Sequence, residues 1–266
     1  MSSDDLVVAR TAQPGPIRTL AEGLKSMLVE MSLVFDKDGI RMIAMDNSRT
    51  VLTHMRLYAN KFEQYEYNNK APKLSVGLNT DHFYRIVKTV TNEDTITFSV
   101  SKSESNHLTI TIENGDKGRR IKYRLNLLDC DESDITMPET VFTTWKTMPS
   151  LDFQKICRDM TLLSAKTVDI KNVGNTLTFS CKGPFASQTV TMGDSATDIS
   201  GSKNESTEIV SGSFSLPHLV LFTKCSNLSN NLELHMKNDW FLMIRYVIAN
   251  LGDIKLCLMP LPASTT

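Results

Sequence analysis

The sequence has no marked excess of charge of either sign. It contains 29 Lys and Arg residues against 30 Asp and Glu residues, which gives a formal net charge of −1. A chain this close to neutral has no bulk attraction to nucleic acid. Any contact with DNA must therefore come from a local sorting of charge.

Cysteine is scarce, and its spacing fits no metal site. The five cysteines are Cys130, Cys157, Cys181, Cys225 and Cys257. None forms a C-x-x-C pair, and no Cys and His residues cluster at the spacing of metal ligands. We therefore expect reduced, mostly buried thiols, a reducing compartment and no bound metal.

Long apolar runs and targeting signals are also missing. No apolar run approaches the roughly 20 residues that a membrane-spanning helix needs. The first ten residues are acidic and then apolar, unlike the basic start of a signal peptide. These features predict a soluble intracellular protein with no membrane partner.

Recognisable catalytic motifs are absent. The sequence contains no phosphate-binding loop, no dinucleotide-binding glycine pattern and no nucleophile elbow. Its histidines are scattered along the chain, at His54, His82, His107, His218 and His235. The sequence therefore predicts no enzyme and no cofactor, since a catalytic site would have to be assembled from distant residues.

An internal repeat organises the chain. Residues 83–88 match residues 219–224 at an offset of 136, and residues 95–100 match 231–236 at the same offset with the same apolar alternation. Leu20 and Ile156 match in the same way, inside two further helical patterns. We predict two similar domains, 1–126 and 142–266.

The stretch between the two copies reads as a connecting linker, residues 127–141. Five acidic residues fall between Asp129 and Glu139, and Pro138 prevents a helix from continuing through it. Ile135 and Met137 alternate within this acidic stretch. They are expected to attach an extended segment to the body of the protein.

Most of the remaining sequence alternates with a period of two, which is typical of strands. Examples are 95–100, 108–112, 176–179 and 241–248, and turn signals such as Asp38-Gly39 and Asn114-Gly115 separate such segments. The predicted fold class is α+β, with outer antiparallel sheets and about two helices per repeat packed on one face.

The predicted helices concentrate basic residues on their exposed faces. They begin near Ile17, Asp81, Asp152 and Leu216. Their outer faces carry seven basic residues, Arg18, Lys25, Arg85, Lys88, Lys155, Arg158 and Lys224, against four acidic ones, Glu22, Asp81, Asp152 and Asp159. One exposed Lys or Arg on a helix needs no functional explanation. A near-neutral chain that places seven on one layer of helices suggests that this layer faces phosphate.

Several motifs resemble the proliferating cell nuclear antigen family, the eukaryotic and viral replication clamps. They are Gly39-Ile40-Arg41-Met42-Ile43-Ala44-Met45-Asp46-Asn47-Ser48, Asn92-Glu93-Asp94-Thr95-Ile96-Thr97, Phe153-Gln154-Lys155-Ile156-Cys157-Arg158-Asp159-Met160, Phe222-Thr223-Lys224, Ile248-Ala249-Asn250-Leu251-Gly252 and Leu258-Met259-Pro260. They span nearly the whole chain in the family's order. Divergence elsewhere indicates a viral or distant eukaryotic member.

The resemblance implies a DNA sliding clamp, a polymerase processivity factor built as a homotrimeric ring of two-domain subunits. The ring would encircle double-stranded DNA without reading its sequence, with the seven basic residues named above lining the hole. Pro217 departs from the family, because relatives often have a basic residue there. Head-to-tail contacts would join the strand Arg119 to Leu125, which contains Tyr123, to an edge near Ser187 to Met192.

The resemblance also implies that partners bind through short peptide motifs. Such partners would include a DNA polymerase, a clamp loader and other replication and repair proteins. The matching pocket positions are Met45, Leu52, Ile135, Met137, Phe241, Cys257, Met259 and Pro260. Relatives usually have Pro and Tyr at the positions of Phe241 and Cys257, so the preferred motif is expected to differ. For Leu52, an ordinary core position is an equal alternative.

The implied location is the nucleus or a viral replication compartment. One alternative keeps the same fold but no ring: a monomeric or dimeric processivity factor that holds DNA by charge alone. Such a protein needs a more basic surface than seven residues per chain provide, and the net charge of −1 disfavours it.

Overall fold

The computed structural model describes residues 4–129, 135–193 and 209–262. The chain divides into two compact units. The first comprises Met1–Ala44, His54–Met137 and Ile248–Ile254, and the second comprises Met45–Thr53, Pro138–Val247 and Lys255–Thr266. The middle of the predicted linker, including Cys130, lies outside the described residues. The boundaries predicted from the sequence, 1–126, 127–141 and 142–266, remain predictions.

Within its described residues, the first half of the chain contains nine strands and two α-helices. Its elements are β1 (Asp5–Thr11), α1 (Pro14–Met27), β2 (Glu30–Asp36), β3 (Gly39–Met45), β4 (Val51–Tyr58), a 3₁₀-helix (Ala59–Lys61), β5 (Gln64–Tyr67), β6 (Leu74–Asn79), α2 (Thr80–Val87), β7 (Thr95–Ser101), β8 (His107–Asn114) and β9 (Arg119–Asn126).

The second half repeats this order within its described residues. Its elements are β10 (Thr144–Pro149), α3 (Ser150–Leu162), β11 (Thr167–Val173), β12 (Thr176–Lys182), β13 (Ser187–Met192), β14 (Ile209–Ser215), α4 (Leu216–Phe222), a 3₁₀-helix (Thr223–Leu228), β15 (Asn231–Met236), β16 (Leu242–Ile248) and β17 (Gly252–Leu258).

The structure contains the repeat that the sequence predicts. The helices α1 and α3 begin 136 residues apart, as do α2 and α4, and the strands β7 and β15. The strands β1 to β4 have counterparts in β10 to β13, and β9 and β17 are the last strands of their copies. The predicted α+β class is confirmed.

Antiparallel sheets form the framework of both units. The first unit has a five-stranded sheet in the order β5-β1-β7-β8-β9, and the second has a four-stranded sheet in the order β13-β12-β11-β14. The strands β4 and β17 are neighbours, and each contributes residues to both units. A further sheet runs β6-β2-β3-β4-β17 in the first unit and β4-β17-β16-β15-β10 in the second.

Each unit buries the apolar side of its helices. In the first unit Ile17 and Leu24 of α1 and Phe83 of α2 are buried, and the rings of Phe83 and Phe98 lie 5.9 Å apart. In the second unit the ring of Phe153 in α3 lies 6.3 Å from that of Phe179 in β12. With the apolar sides buried against the sheets, the charged residues of the helices are left outside.

Helix ends are where the sequence-based expectations differ from the structure. The first helix begins at Pro14 rather than near Ile17, because proline is tolerated in a first turn, and it ends at Met27 because Leu28 is extended. The second helix begins at Thr80, one residue before the expected Asp81, and ends at Val87. The fourth ends at Phe222, so Lys224, expected on a helix face, lies in the following 3₁₀-helix.

Two glycines of the family-like motifs permit close backbone contacts. A Cβ atom at Gly39 would lie 2.0 Å from the carbonyl oxygen of Leu57, and one at Gly252 would lie 1.9 Å from that of Arg56. The backbone at Gly39 also has a φ of 138°, which side-chain-bearing residues rarely adopt. Both positions require glycine for β4 to pack against its neighbouring strands.

The four cysteines within the described chain are reduced and buried, as expected. Burial raises the pKa of the Cys157, Cys225 and Cys257 thiols to about 12. These thiols are therefore protonated at neutral pH and act as small apolar side chains.

Asp94, in the turn between α2 and β7, ties that turn to the β8–β9 hairpin. It is 1% exposed and accepts hydrogen bonds from the Thr91 amide and hydroxyl and from Asn114 Nδ2 at 2.8–2.9 Å. Arg119 Nη2 lies 3.4 Å away. Burial disfavours the charge, but the hydrogen bonds and Arg119 outweigh it and lower the pKa of Asp94 to about 2.

Replacing Asp94 with Asn is expected to destabilise the protein by about 2 kcal/mol at pH 7, because charge-assisted hydrogen bonds to a buried acceptor are lost. The folded pKa lies below the ordinary value of 3.8, so the stabilisation is present above about pH 4 and lost as the pH falls toward 2. Urea unfolding at several pH values measures this. Asp116→Asn, in the exposed hairpin turn, is the control, and equal stability of Asp94→Asn and wild type at pH 7 contradicts the assignment.

Candidate nucleic-acid interface, strand edges and peptide groove

In the first unit, some of the predicted DNA-lining residues of α1 and α2 form ion pairs with another residue of the same chain. Asp81 lies 3.2 Å from Lys25 Nζ and 2.7 Å from Arg85 Nε, so one carboxylate joins cations from the two helices. The hydrogen bond from Lys25 and the charge of Arg85 hold the pKa of Asp81 below its ordinary value. Lys25 and Arg85 therefore lie on one face of the helix pair.

Arg18 and Lys88 differ in how they are held. Arg18 Nη1 donates to the carbonyl oxygen of Val90 at 2.9 Å, and the side chain is only half-exposed. Lys88 is exposed and forms no ion pair among the described residues, but its ammonium group lies 5.9 Å from the centre of the Tyr84 ring. Lys88 is thus the freer of the two cations.

The second unit presents its basic residues with fewer restraints. Lys155, Arg158 and Lys224 are all exposed. Arg158 has only a 3.9 Å approach to the adjacent Asp159, while Lys155 and Lys224 form no ion pair within the described part of the chain. Gln154 Nε2 donates to the carbonyl oxygen of Thr223 at 3.4 Å, so the two lysines flank one contact between α3 and the 3₁₀-helix.

The two strands that the sequence analysis proposed for subunit contacts are sheet edges. β9 pairs only with β8 in the five-stranded sheet, and β13 pairs only with β12 in the four-stranded sheet. Tyr123 lies in the middle of β9, half-buried and opposite Ile110. Each strand therefore has a row of backbone groups on its outer side without a partner strand among the described residues.

Within the chain, the counterparts of these two edge strands pair with each other. β17 is the last strand of its copy, as β9 is, and β4 is the fourth strand of its copy, as β13 is. In the first unit the Tyr58 amide donates to the Leu251 carbonyl at 2.9 Å, and in the second the Met259 amide donates to the Thr50 carbonyl at 3.0 Å. These bonds place β4 and β17 antiparallel.

A groove of about 410 Å³ lies in the second unit. Its lining residues are Ser211, Gly212, Ser213, Asp239, Trp240, Pro260, Leu261 and Pro262. The strand β14 forms one wall. Part of its edge is already satisfied, because Asn238 accepts from the Ser211 amide and donates to the Ile209 carbonyl, both at 2.9 Å, and the Leu261 amide donates to the Ser213 carbonyl at 2.8 Å.

The predicted pocket residues divide by exposure. Met45 and Met259 are exposed, whereas Leu52, Phe241 and Cys257 are less than 10% exposed. Pro260 lines the groove. Ile135 and Met137 are half-buried residues of the first unit and do not line this groove. Their common role in a peptide pocket remains a prediction.

An aromatic cluster adjoins the groove and surrounds Phe241, a predicted pocket residue, with Trp240 and Phe142, which the sequence did not indicate. Trp240 is 39% exposed, its ring centre lies 5.5 Å from that of Phe241, and its Nε1 donates to Thr140 Oγ1 at 3.0 Å. Phe142 meets Phe241 edge-on at 5.6 Å. Phe142 comes from the far side of the linker, so nothing in its local sequence indicated this contact.

The comparisons with known proteins cover both copies of the repeat. Residues 6–134 match the N-terminal domain of proliferating cell nuclear antigen, and residues 136–261 match its C-terminal domain. This chain belongs to the proliferating cell nuclear antigen family.

Relatives within the family are distant but match along their whole length. A probable DNA polymerase sliding clamp of Paramecium bursaria Chlorella virus 1 is 29% identical over 256 residues, which covers 95% of both chains. The proliferating cell nuclear antigen of Chaetomium thermophilum is 28% identical over 260 residues, 96% of this chain and 98% of the relative. Proliferating cell nuclear antigen 2 of Drosophila melanogaster is 26% identical over 257 residues, 96% of this chain and 97% of the relative.

Membership of this family makes the protein a sliding clamp, a processivity factor for DNA replication that is not an enzyme. In the described ranges no group of three His, Cys, Asp or Glu side chains is placed to hold a metal ion. No helix in the part of the chain that the structure describes is long and apolar enough to cross a membrane.

The sequence predicts only some of the contacts that the basic residues of the helices form. Asp81 and Arg85 stand four residues apart, as do Tyr84 and Lys88, and this spacing places two side chains on the same face of a helix. The contact between Lys25 and Asp81 joins two different helices, and no local signal in the sequence predicts it.

Proposed function

We propose that three copies of this chain join head to tail into a closed ring that encircles duplex DNA. The observation that carries this proposal is the junction of β4 and β17, because β13 and β9 are their counterparts and both are sheet edges. The same antiparallel pairing between copies satisfies both edges and closes the ring after three steps.

The charges of the two edges suit such a pairing. The cations of β9 are Arg119, Arg120, Lys122 and Arg124, whereas β13 has the uncharged sequence Ser-Gln-Thr-Val-Thr-Met. Two β9 strands paired with each other would set like charges opposite one another, which is destabilising. Pairing of β9 with β13 avoids this repulsion, so the contact favours the head-to-tail arrangement over a two-fold dimer.

Inside the ring, the basic residues of the four helical segments contact the phosphates of the DNA. Arg18, Lys25, Arg85 and Lys88 come from the first unit, and Lys155, Arg158 and Lys224 come from the second. Phosphate contacts carry no sequence information, so every position along the duplex is nearly equivalent and the ring slides. Dissociation then requires an interface to open, which makes the tether long-lived.

On the outside, partner proteins such as a DNA polymerase and a clamp loader dock short peptide motifs in the groove of the second unit. The edge of β14 offers backbone groups to an extended peptide, and Met45, Trp240 and Met259 offer exposed apolar surface. The protein works in the nucleus or in a viral replication compartment.

The solution mass tests the ring. Light scattering is expected to give three times the chain mass of 29.8 kDa. Tyr123→Asp on β9 is expected to lower the mass to that of one chain, because it sets a charge against the interface. Glu66→Lys on β5, the opposite edge of the same sheet, is the control and should leave the mass unchanged.

Charged substitutions of opposite sign at Thr189, an exposed residue of β13, test whether β13 is the partner of β9. Thr189→Lys is expected to dissociate the ring because it opposes the cations of β9, whereas Thr189→Glu should be tolerated. A wild-type mass of one or two chains, or equal masses for the two Thr189 variants, contradicts this interface.

Reversing the charge of Lys88 and Lys155 together to Glu is expected to abolish most of the stimulation of a DNA polymerase on primed DNA, because both residues then repel phosphate. The oligomer mass should not change. Lys102→Glu with Lys171→Glu, away from the four helical segments, gives the same net charge and serves as the control. If stimulation survives in the first variant, the lining assignment is wrong.

Replacing Met45 and Met259 with Ala is expected to weaken the binding of a fluorescent partner peptide on the order of tenfold, because exposed apolar contact surface beside the groove is removed. Loading onto DNA should remain normal. Val141→Ala is the matched control, since Val141 is an 86% exposed apolar residue of the linker that does not line the groove. Unchanged peptide affinity in the double variant contradicts a role for these two residues.

A further inference from the structure

Tyr84 lies between two of the basic residues of the first unit. Its ring centre is 4.6 Å from Lys25 Nζ, which comes from α1, and 5.9 Å from the Nζ of Lys88, the C-cap residue of α2. An ammonium group within about 6 Å of an aromatic ring is attracted to the negative charge of its face. One half-buried side chain therefore contacts lysines from two helices.

Asp81 completes the cluster from the other side. It lies 3.2 Å from Lys25 and 2.7 Å from Arg85, so Lys25 is restrained by both a carboxylate and an aromatic ring. The cluster contains three cations and one carboxylate and is therefore net positive. Lys25 and Lys88 both have their ammonium group at the Tyr84 ring, so an anion bound beside this ring is attracted by both cations.

The described residues of the second unit form no equivalent of this cluster. At the repeat offset of 136, Val220 stands at the position of Tyr84, while Lys224 matches Lys88. Lys224 and Lys155 are exposed and have no ion pair within the described ranges. Among the described residues, Lys25 and Lys88 thus share one aromatic ring, whereas Lys155 and Lys224 contact none.

We infer that Tyr84 is a positioning residue for DNA, which keeps Lys25 and Lys88 together as one binding site for a backbone phosphate. This inference rests on the proposed function. The ring already restricts the rotamers of the two lysine side chains in the free protein. Less conformational entropy is therefore lost when a phosphate binds. The first unit therefore binds the DNA backbone through an ordered pair of lysines, whereas the lysines of the second unit share no aromatic ring.

Substitution at Tyr84 tests the inference. Tyr84→Phe keeps the ring and should bind a short duplex like the wild type in a fluorescence anisotropy titration. Tyr84→Leu should bind about two- to fivefold more weakly, because the ring no longer attracts the two ammonium groups. The salt dependence should not change, because no charge is removed. Lys88→Gln should instead reduce the slope of log affinity against log salt by about 0.9.

Double variants separate positioning from a general loss of structure. Tyr84→Leu with Lys88→Gln should weaken binding less than the product of the single effects, because the two residues act together. Tyr84→Leu with Lys224→Gln should show the full product, since Lys224 does not touch the ring. Melting temperatures check folding, and Tyr84→Gln replaces the Leu variant if that one aggregates.

The outcomes distinguish this inference from the proposed function. If Lys88→Gln and Lys224→Gln both bind DNA like the wild type, the lining itself is wrong. If both weaken binding while Tyr84→Leu matches Tyr84→Phe, the lining stands and the positioning role of Tyr84 is overturned.

Discussion

A strand at the edge of a sheet leaves a row of backbone N–H and C=O groups without partners, and the organisation of this chain depends on where those rows are satisfied. The duplicated sequence produces the same two kinds of edge twice. One pair is joined within the chain, where β17 lies beside β4, and the other pair is β9 and β13. On the proposed ring, β9 and β13 are satisfied by further copies of the chain through the same pairing, so the repeat and the ring have a common physical basis.

The two repeats have the same fold, but different side chains occupy equivalent positions in their interiors. Ala9 and Lys146 occupy matching positions on β1 and β10, and both are buried. In the first unit Tyr65 reaches over from β5, with its hydroxyl 2.7 and 2.6 Å from two carbonyl oxygens of the β2–β3 turn. In the second unit the longer Lys146 itself reaches the β11–β12 turn, 3.2 Å from Asn175 Oδ1. Burial lowers the pKa of Lys146, because the charged amine loses part of its hydration there.

Periodicity and repetition in the sequence predicted the fold class, the helix count, the repeat and the burial of the thiols, because each depends on local patterns. Helix ends were predicted less well. Lys224 lies beyond α4 because the last turn tightens into a 3₁₀-helix, a change that apolar spacing does not encode. The contact of Lys25 with Asp81 and the packing of Phe142 on Phe241 join distant segments, so no local pattern indicates either of them. The exposed basic residues were predicted as a set, but not which of them are already paired.

Whether a basic residue already has a partner on its own chain affects how a ring would slide along DNA. An arginine or lysine that already has a partner on its own chain gives up part of that interaction when it meets a phosphate, so its net gain from DNA is small. Arg18, Lys25 and Arg85 are of this kind, whereas Lys155 and Lys224 form no ion pair within the described ranges. Weak, replaceable contacts keep the free energy nearly level from one position on the duplex to the next. On the proposed ring, retention comes from topology, so the lining does not need strong contacts, and strong contacts would slow the movement that a clamp requires.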